Sequence, residues 1–595
     1  MYYHINSVID ITFTNNPTTQ QPNNPILKMA CASSSPSSPS SPSSPSSSSS
    51  VITFTHKLLQ NEKETATELS HNFGISTIKV GTTELLNKKY HIVITFDRSG
   101  SMSYVMGEVK HTIKNMLNYL CEVECDICIT IMFFDNELNI LEKNIHLTDE
   151  TKNEMMVQIE KLDSRGMTNF EKPFQKITEL YMDDMQNIHI FMTDGNPNEG
   201  KTTTDQLYDI LDKRYEHNFM GFGVGHNEQM LYALTEKTNG NYYFIDSIEN
   251  AGMIYGEVLN KILYRRFENI TYSTDEKNAI QFYNYKTNEW SNTYVVGSAG
   301  SEDTFTTHFR FLWDIPYESL PLTFNVTYND LISSTTTPII HTSNITEQEY
   351  HPNVEISADM RNVDVEKYYY RQLVLEKMFV VNKTNSQTTS HSMSLLQTNS
   401  TTPIHNYYDE IETLFSKIKT FMEVKELTED LFMKQLLDDL SILFRSQRNP
   451  TMAAYGLARH IGQGAQRAYN VVNMAPQNIQ NQMNISPSVY QTQNQNCFPS
   501  MPLQSMNSID PQQYMQTNQV AWGGGSSRRS SGLMQQTSLN FNENELNDDA
   551  TLDPTSYSDA KPTSQILQHT LSQEATSVYT SPHRTKIMKK VSGRK

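Results

Sequence analysis

The sequence predicts a chain built around a Rossmann-like α/β domain over residues 88–265, followed by a β-sandwich-like domain and a helical region, with disordered termini. Within the first range, short apolar runs alternate with amphipathic segments, which is typical of strands and helices around a mostly parallel sheet. After Arg266 the pattern changes to runs rich in Thr, Tyr, Phe and Val, which favour antiparallel strands. From Val363 onward the apolar residues recur at helical spacing.

Five strands of the α/β domain can be assigned from their apolar runs. They are predicted at 90–96, 127–134, 188–193, 219–224 and 242–245. Helices that would cover both faces of the sheet are predicted at 107–121, 149–162, 170–185, 203–215, 227–238 and 248–264. Open sheets of this type bind their ligands beyond the carboxyl ends of the strands. The functional site is therefore expected at that edge.

Amino-acid composition divides the rest of the chain into disordered, β-rich and helical segments. Residues 1–50 contain a serine run with prolines at every third position, and we predict that this segment is disordered. Residues 51–87 are β-rich and are predicted to complete the sandwich of residues 266–360. Residues 361–473 are predicted as the helical region, and residues 474–595 as a disordered tail rich in Gln, Asn and Ser with a basic C-terminus.

Charge and composition narrow the class of partner. The formal net charge of -19 argues against a nucleic-acid partner, because binding to phosphate backbones depends on clustered Lys and Arg. No stretch approaches the roughly 18 apolar residues of a membrane span, and the N-terminus lacks the pattern of a secretory signal. The five cysteines lack the even, regular spacing of a disulfide framework. We therefore expect a cytoplasmic protein. The basic residues of 583–595 leave a nuclear signal, a contact with an anionic surface or a solvated end as alternatives.

Five oxygen-bearing side chains follow predicted strands or precede predicted helices. Asp97, Ser99 and Ser101 lie in the sequence FDRSGSMS, on the turn that follows the first strand of the α/β domain. Thr168 comes just before a predicted helix, and Asp194 ends the apolar strand IHIFMTDG. A hard divalent ion such as Mg²⁺ prefers about six oxygen ligands and usually keeps waters among them. These residues are therefore candidate metal ligands, and the alternative is that they only cap helices and stabilise turns.

The pattern Asp-x-Ser-x-Ser, a downstream Thr-Asn and Thr-Asp-Gly after an apolar strand resembles the metal-dependent adhesion site of von Willebrand factor type A domains. This resemblance implies that Ser99 and Ser101 ligate the metal directly, that Thr168 does so in some states, and that Asp97 and Asp194 act directly or through water. It implies Mg²⁺, or another divalent cation such as Mn²⁺ or Ca²⁺, and a protein partner that offers an acidic side chain. It further implies an interaction module or scaffold rather than an enzyme.

Two other functions compete with this interpretation. Residues 195–202 (GNPNEGKT) match the P-loop pattern, which would make the protein an NTP-binding enzyme through Lys201. Against this, Pro197 has no N–H group to offer a phosphate, and the next strand ends in glycine rather than in aspartate. The other alternative is a structural or assembly protein that acts through its tail, residues 474–595.

Overall fold

The computed structural model describes residues 52–58, 73–311, 322–345, 362–391, 407–471 and 565–593, apart from short gaps at 84, 86–87, 239, 247, 275–279, 334–336, 448–449 and 573. The predictions for residues 1–50 and 474–563 lie outside this part of the chain. The strands are β1 (Ile52–Leu58), β2 (Phe73–Val80), β3 (Lys89–Asp97), β4 (Asp126–Phe134), β5 (Leu138–His146), β6 (Gln186–Thr193), β7 (Glu216–Phe222), β8 (Asn241–Ile245), β9 (Arg265–Thr274), β10 (Ile280–Asn284), β11 (Glu289–Ser291), β12 (Thr293–Gly300), β13 (Thr304–Phe311), β14 (Leu322–Asp330) and β15 (Ile339–Ile345).

The helices fall into an α/β set, a later helical set and two helices near the C-terminus. They are α1 (Met106–Glu122), α2 (Asp149–Glu160), α3 (Glu171–Leu180), α4 (Thr204–Ile210), α5 (Glu228–Thr238), α6 (Ile248–Leu263), α7 (Val363–His391), α8 (Tyr408–Val424), α9 (Leu431–Ser446), α10 (Pro450–Gly464), α11 (Gln565–Gln568) and α12 (Pro582–Ser592). A short 3-10 helix, Gly100–Tyr104, precedes α1. Within the described residues, no helix is both long enough and apolar enough to cross a membrane.

A six-stranded sheet forms the centre of the α/β domain, with the strand order β5-β4-β3-β6-β7-β8. All neighbouring strands are parallel except β5, which pairs with β4 in the antiparallel sense. β3 lies in the middle, and every residue from Tyr90 to Asp97 is buried, as expected for a strand covered on both faces. The predicted Rossmann-like fold class is confirmed.

The sequence patterns did not predict β5. Its residues, LNILEKNIH, mix apolar and charged side chains, and none of them is fully buried because the strand lies at the edge of the sheet. An edge strand of this kind lacks the continuous apolar run by which the inner strands were recognised.

Two antiparallel sheets form the β-sandwich. Their strand orders are β1-β2-β13-β10-β11 and β12-β9-β14-β15. Their buried faces share one core, in which Phe54 and Ile78 from β1 and β2 meet Phe267 and Phe324 from the opposite sheet. Strands from the segment before the α/β domain and strands after it therefore belong to one sandwich.

The later helices α7, α8 and α9 pack around a separate apolar core. Their buried residues recur at three- and four-residue spacing, as in Ile411, Leu414, Phe415 and Ile418 of α8. α10 packs against α7 and α9, so it completes this helical region.

The prediction that residues 474–595 are a disordered tail is wrong for the described residues 565–593. α12 begins after Ser581, whose side chain accepts a hydrogen bond from the Arg584 backbone N–H, and it has Pro582 in its first turn. Apolar side chains of this helix are buried against the α/β domain: Ile587, Met588 and Val591. The segment is ordered because these side chains are removed from water, a contact with distant parts of the chain that composition does not reveal.

The packing of α12 depends on two glycines of α6. A Cβ atom on Gly252 would lie 2.4 Å from the Cα atom of Ser592, and a Cβ atom on Gly256 would lie 2.5 Å from the Cα atom of Met588. The two helix backbones can approach this closely only because these positions carry no side chain. Arg584 also forms a buried ion pair with Asp303 of the sandwich, at 2.6 Å. The basic C-terminal segment therefore has at least one of its cations buried within the fold.

Candidate metal centre

The candidate site lies at the carboxyl edge of the six-stranded sheet, where β3 lies between β4 and β6. From β3 the chain continues to β4 on one side of β3, whereas the later strand β6 pairs with β3 on its other side. Strand order reverses at β3, and open α/β sheets have a crevice at such a point. Asp97 is the last residue of β3, and Ser99 and Ser101 follow on the turn and the 3-10 helix. Asp194 directly follows β6.

The Asp97 carboxylate connects the ends of the two strands. Its Oδ1 accepts a hydrogen bond of 2.7 Å from the Ser99 backbone N–H. Its Oδ2 accepts one of 2.7 Å from the hydroxyl of Thr193, the last residue of β6. Thr193 Oγ1 in turn accepts the Gly195 N–H at 3.2 Å. These bonds hold the turn after β3 against the turn after β6.

The two serine hydroxyls and Asp194 form a chain of polar contacts. Ser99 Oγ lies 3.1 Å from Ser101 Oγ, and the Ser101 hydroxyl donates a hydrogen bond of 2.8 Å to Asp194 Oδ1. Ser99 precedes the 3-10 helix, but its side chain makes no capping hydrogen bond. Ser99 and Asp194 are buried whereas Ser101 is exposed, so this polar group opens to solvent at one end.

Thr168 reaches the same crevice from the loop before α3. Its backbone N–H donates to Asn198 Oδ1 at 2.8 Å, and its carbonyl accepts the Asn198 N–H at 2.9 Å. A Cβ atom on Gly195 would lie 3.6 Å from Ser101 Oγ and 3.7 Å from Thr168 Oγ1, so both hydroxyls face the same glycine. The structure therefore brings all five predicted residues together.

The electrostatics of the site favour a cation. Burial raises the pKa of Asp97 to about 6 and also raises the pKa of Asp194, and the Asp194 carboxylate adds to the shift of Asp97. No Lys or Arg among the described residues forms an ion pair with either carboxylate. Asp194 Oδ2 is buried without a hydrogen-bond partner in this part of the chain. Carboxylates buried in this way are costly unless a proton or a metal ion compensates them.

These residues fit a hard divalent ion. The described residues contain no group of three His, Cys, Asp or Glu side chains arranged for a metal. The candidate ligands are instead carboxylate and hydroxyl oxygens, which suit Mg²⁺, Mn²⁺ or Ca²⁺ rather than a thiophilic metal. Any remaining coordination positions would be filled by water or by a ligand from outside the chain.

The P-loop pattern does not form a phosphate cradle. The Asn198 and Glu199 N–H groups donate to the Thr168 carbonyl, at 2.9 and 3.3 Å. The Lys201 N–H donates to Glu171 Oε2 at 3.1 Å, and the Lys201 ammonium pairs with the same carboxylate. Because these three N–H groups and the ammonium already have partners, this loop supports the Thr168 loop instead.

Two residues at the site were not among the predicted ligands. Thr193 holds Asp97, and its position in the sequence Thr-Asp-Gly offered a signal for that contact. Tyr104 lies near the Asp194 carboxylate, whose charge helps to raise the pKa of Tyr104 after the larger effect of burial. No sequence pattern indicated Tyr104, because its position depends on how the 3-10 helix packs against the loop after β7.

These features define the class of protein: an α/β protein with an oxygen-rich crevice at the carboxyl edge of a mostly parallel sheet. The model of the von Willebrand factor type A domain family matches residues 90–244, which include all five candidate ligands. The chain therefore contains a von Willebrand factor type A domain.

Comparison with individual proteins gives distant matches. The chain is 27% identical over 202 residues to the uncharacterized protein YfbK of Escherichia coli (strain K12), covering 32% of this chain and 33% of that protein. The match thus spans about a third of that relative. The ArnB paralog VWA2 from Sulfolobus acidocaldarius is similar with a TM-score of 0.41 and 15% identity, covering 70% of this chain and 99% of that one. A von Willebrand factor type A protein from Catenulispora acidiphila has a TM-score of 0.43 and 11% identity, covering 70% and 98%.

Proposed function

We propose that this protein binds a protein partner through a divalent cation, Mg²⁺ in the first instance, held by Asp97, Ser99, Ser101, Thr168 and Asp194. Von Willebrand factor type A domains are commonly protein-interaction modules. The observation that carries the proposal is the crevice in which two buried carboxylates meet three hydroxyls and pair with no cationic side chain of the described residues. The proposed role is binding rather than catalysis.

Each residue has a distinct task in this proposal. The hydroxyls of Ser99 and Ser101 lie close enough together to serve as neighbouring ligands. Asp194 Oδ2, which has no hydrogen-bond partner among the described residues, offers a charged oxygen. Asp97 has a hydrogen-bond donor on each oxygen, so it holds the two turns in register and acts on the ion through its charge or through water. Thr168 supplies a further hydroxyl from a third loop.

When bound, the cation would supply an open coordination position that accepts a carboxylate oxygen from the partner. Such a contact needs an acidic side chain, because a neutral group would not compensate the charge of the ion as well. The chain's own role is to hold the oxygen ligands in place before the partner arrives. The hydrogen bonds from Ser99, Thr193 and Gly195 lower the cost of ordering these turns on binding.

The direct test is metal binding to the purified full-length protein. Free Mn²⁺ can be measured by its electron paramagnetic resonance signal, with Mg²⁺ as the competitor. We expect Ser101→Ala and Asp194→Asn to weaken Mn²⁺ binding about 10- to 100-fold. Ser103→Ala is the matched control, because Ser103 is an exposed serine of the same 3-10 helix outside the candidate set.

The fold of each variant can be checked in EDTA. Asp194→Asn should have a thermal midpoint at least equal to that of the parent protein, since it removes a buried charge that has no cationic partner in the described part of the chain. Stoichiometric binding that Mg²⁺ displaces, lost in the two site variants and kept in Ser103→Ala, would support the proposal. Equal Mn²⁺ binding by all four proteins would refute it.

A further inference from the structure

Three large apolar side chains are exposed around the candidate metal centre. Tyr104, Met167 and Val224 are 67%, 46% and 43% exposed, respectively. They come from three separate loops: the 3-10 helix after β3, the loop before α3 and the loop after β7. We call these three residues the apolar rim. Exposed apolar groups gathered at one place are typical of a binding surface rather than of ordinary protein surface.

Contacts within the protein place Tyr104 and Val224 beside the site. Tyr104 lies three residues after Ser101, and its hydroxyl is 3.5 Å from the position that a Cβ atom would take on Gly223. A Cβ atom on Gly225 would lie 3.4 Å from the Asp194 carbonyl oxygen. The loop after β7 therefore borders the candidate ligand Asp194.

Met167 flanks the site on the loop that carries Thr168. Its backbone N–H donates to Asn136 Oδ1 at 2.8 Å, and the preceding Gly166 carbonyl accepts the Gly100 N–H at 3.1 Å. The backbone of the Met167 loop is therefore tied to the turn after β3. A surface held in this way loses little conformational freedom when a partner binds.

The charge beside Met167 favours an acidic partner. The Arg165 side chain is 65% exposed and contacts Asp135 at 3.0 Å. Asp135 also pairs with the buried Arg98 at 2.8 Å. Two guanidinium groups thus share one carboxylate, which leaves the exposed Arg165 guanidinium only partly neutralised next to the rim. This charge adds to the attraction that the metal ion exerts on an acidic segment.

We propose that the partner presents an acidic side chain flanked by apolar or aromatic side chains, with its carboxylate at the metal centre and its flanking groups on Tyr104, Met167 and Val224. This inference rests on the proposed function, because the metal centre positions the carboxylate. The apolar contacts supply area that excludes water around the ion, and polar interactions are stronger where water is excluded. The occupant is thus a protein segment with a defined pattern of side chains rather than any acidic surface.

A library of displayed random peptides provides a probe of known composition. Full-length protein is used to select binders in Mg²⁺ and, in parallel, in EDTA. We expect the Mg²⁺-selected peptides to contain Asp or Glu next to aromatic or aliphatic residues. A rim variant with Met167→Ser and Val224→Ser should bind these peptides about tenfold or more weakly while keeping its affinity for Mn²⁺. Val157→Ser is the control, because Val157 is 58% exposed on α2 and outside the rim.

The outcomes separate the rim from the metal centre. Selection of acidic peptides without apolar neighbours, or unchanged binding by the rim variant, would overturn the rim inference and leave the proposed function standing. Selection that is independent of Mg²⁺ would overturn the proposed function and the rim inference with it. Loss of Mn²⁺ affinity in the rim variant would also contradict the inference, because the rim would then be part of the metal centre.

Discussion

A pair of buried histidines predicts how the stability of the α/β domain depends on pH. His189 of β6 and His217 of β7 lie side by side, with 3.0 Å between their Nδ1 atoms. His217 Nε2 is 2.7 Å from the Asp212 carbonyl, so it must carry the proton and donate. His217 Nδ1 then accepts from His189 Nδ1–H, and His189 Nε2 accepts from the Thr95 hydroxyl at 3.0 Å. If both rings were protonated, two Nδ1–H groups would face each other, so the buried pair cannot take up two protons.

The size of the effect follows from the pKa of His217. Burial lowers this pKa from 6.5 to about 4. The unfolded chain therefore binds a proton that the folded protein does not, and stability falls as the pH drops from about 6.5 toward 4. The whole shift corresponds to about 3 kcal/mol, and roughly 1.4 kcal/mol of it is lost by about pH 5.5.

The free energy of unfolding is measured in urea at neutral pH and near pH 5.5. Hydrogen exchange of peptides from β6 and β7 reports the unfolding of the part of the domain that contains the two histidines. We expect His217→Gln to lose about 1.4 kcal/mol less than the parent protein between these conditions. His111→Gln is the control for removing a histidine, because His111 is exposed on α1. Identical pH dependence in the parent protein and His217→Gln would refute the reasoning.

Three other substitutions test contacts elsewhere in the fold. Gly256→Ala should force α12 away from α6, because its Cβ atom would lie 2.5 Å from a backbone atom of Met588. Faster hydrogen exchange of α12 would show this displacement. Gly107→Ala is the control, because nothing lies within 4 Å of its Cβ position. Arg584→Met should destabilise the protein by about 3–5 kcal/mol in urea unfolding because it leaves Asp303 buried and unpaired, and adding Asp303→Asn should restore part of the loss. We expect fluorescent ATP analogues to bind neither the parent protein nor Lys201→Met. Saturable binding by the parent protein that is lost in Lys201→Met would contradict this prediction.

The sequence by itself determined the α/β fold and the candidate ligands, because these are encoded locally. Inner strands such as β3 and β6 are continuous apolar runs, since both of their faces are buried. Asp97, Ser99 and Ser101 lie within five residues of one another, and Asp194 directly follows a recognisable strand. Parallel strands bring their carboxyl ends to one edge, so the convergence of these residues could be inferred before any distance was known.

Tertiary structure decided the features that depend on contacts between distant segments. β5 is a strand because it pairs with β4, although its side chains lack a clear period. α12 is ordered because Gly252 and Gly256 of α6 leave room for its backbone, more than 300 positions earlier in the chain. The apolar rim exists because three loops meet beside Asp194. The spacing of apolar residues indicates which face of a helix or strand is buried. Only tertiary packing decides which residues cover that face and which apolar side chains remain exposed.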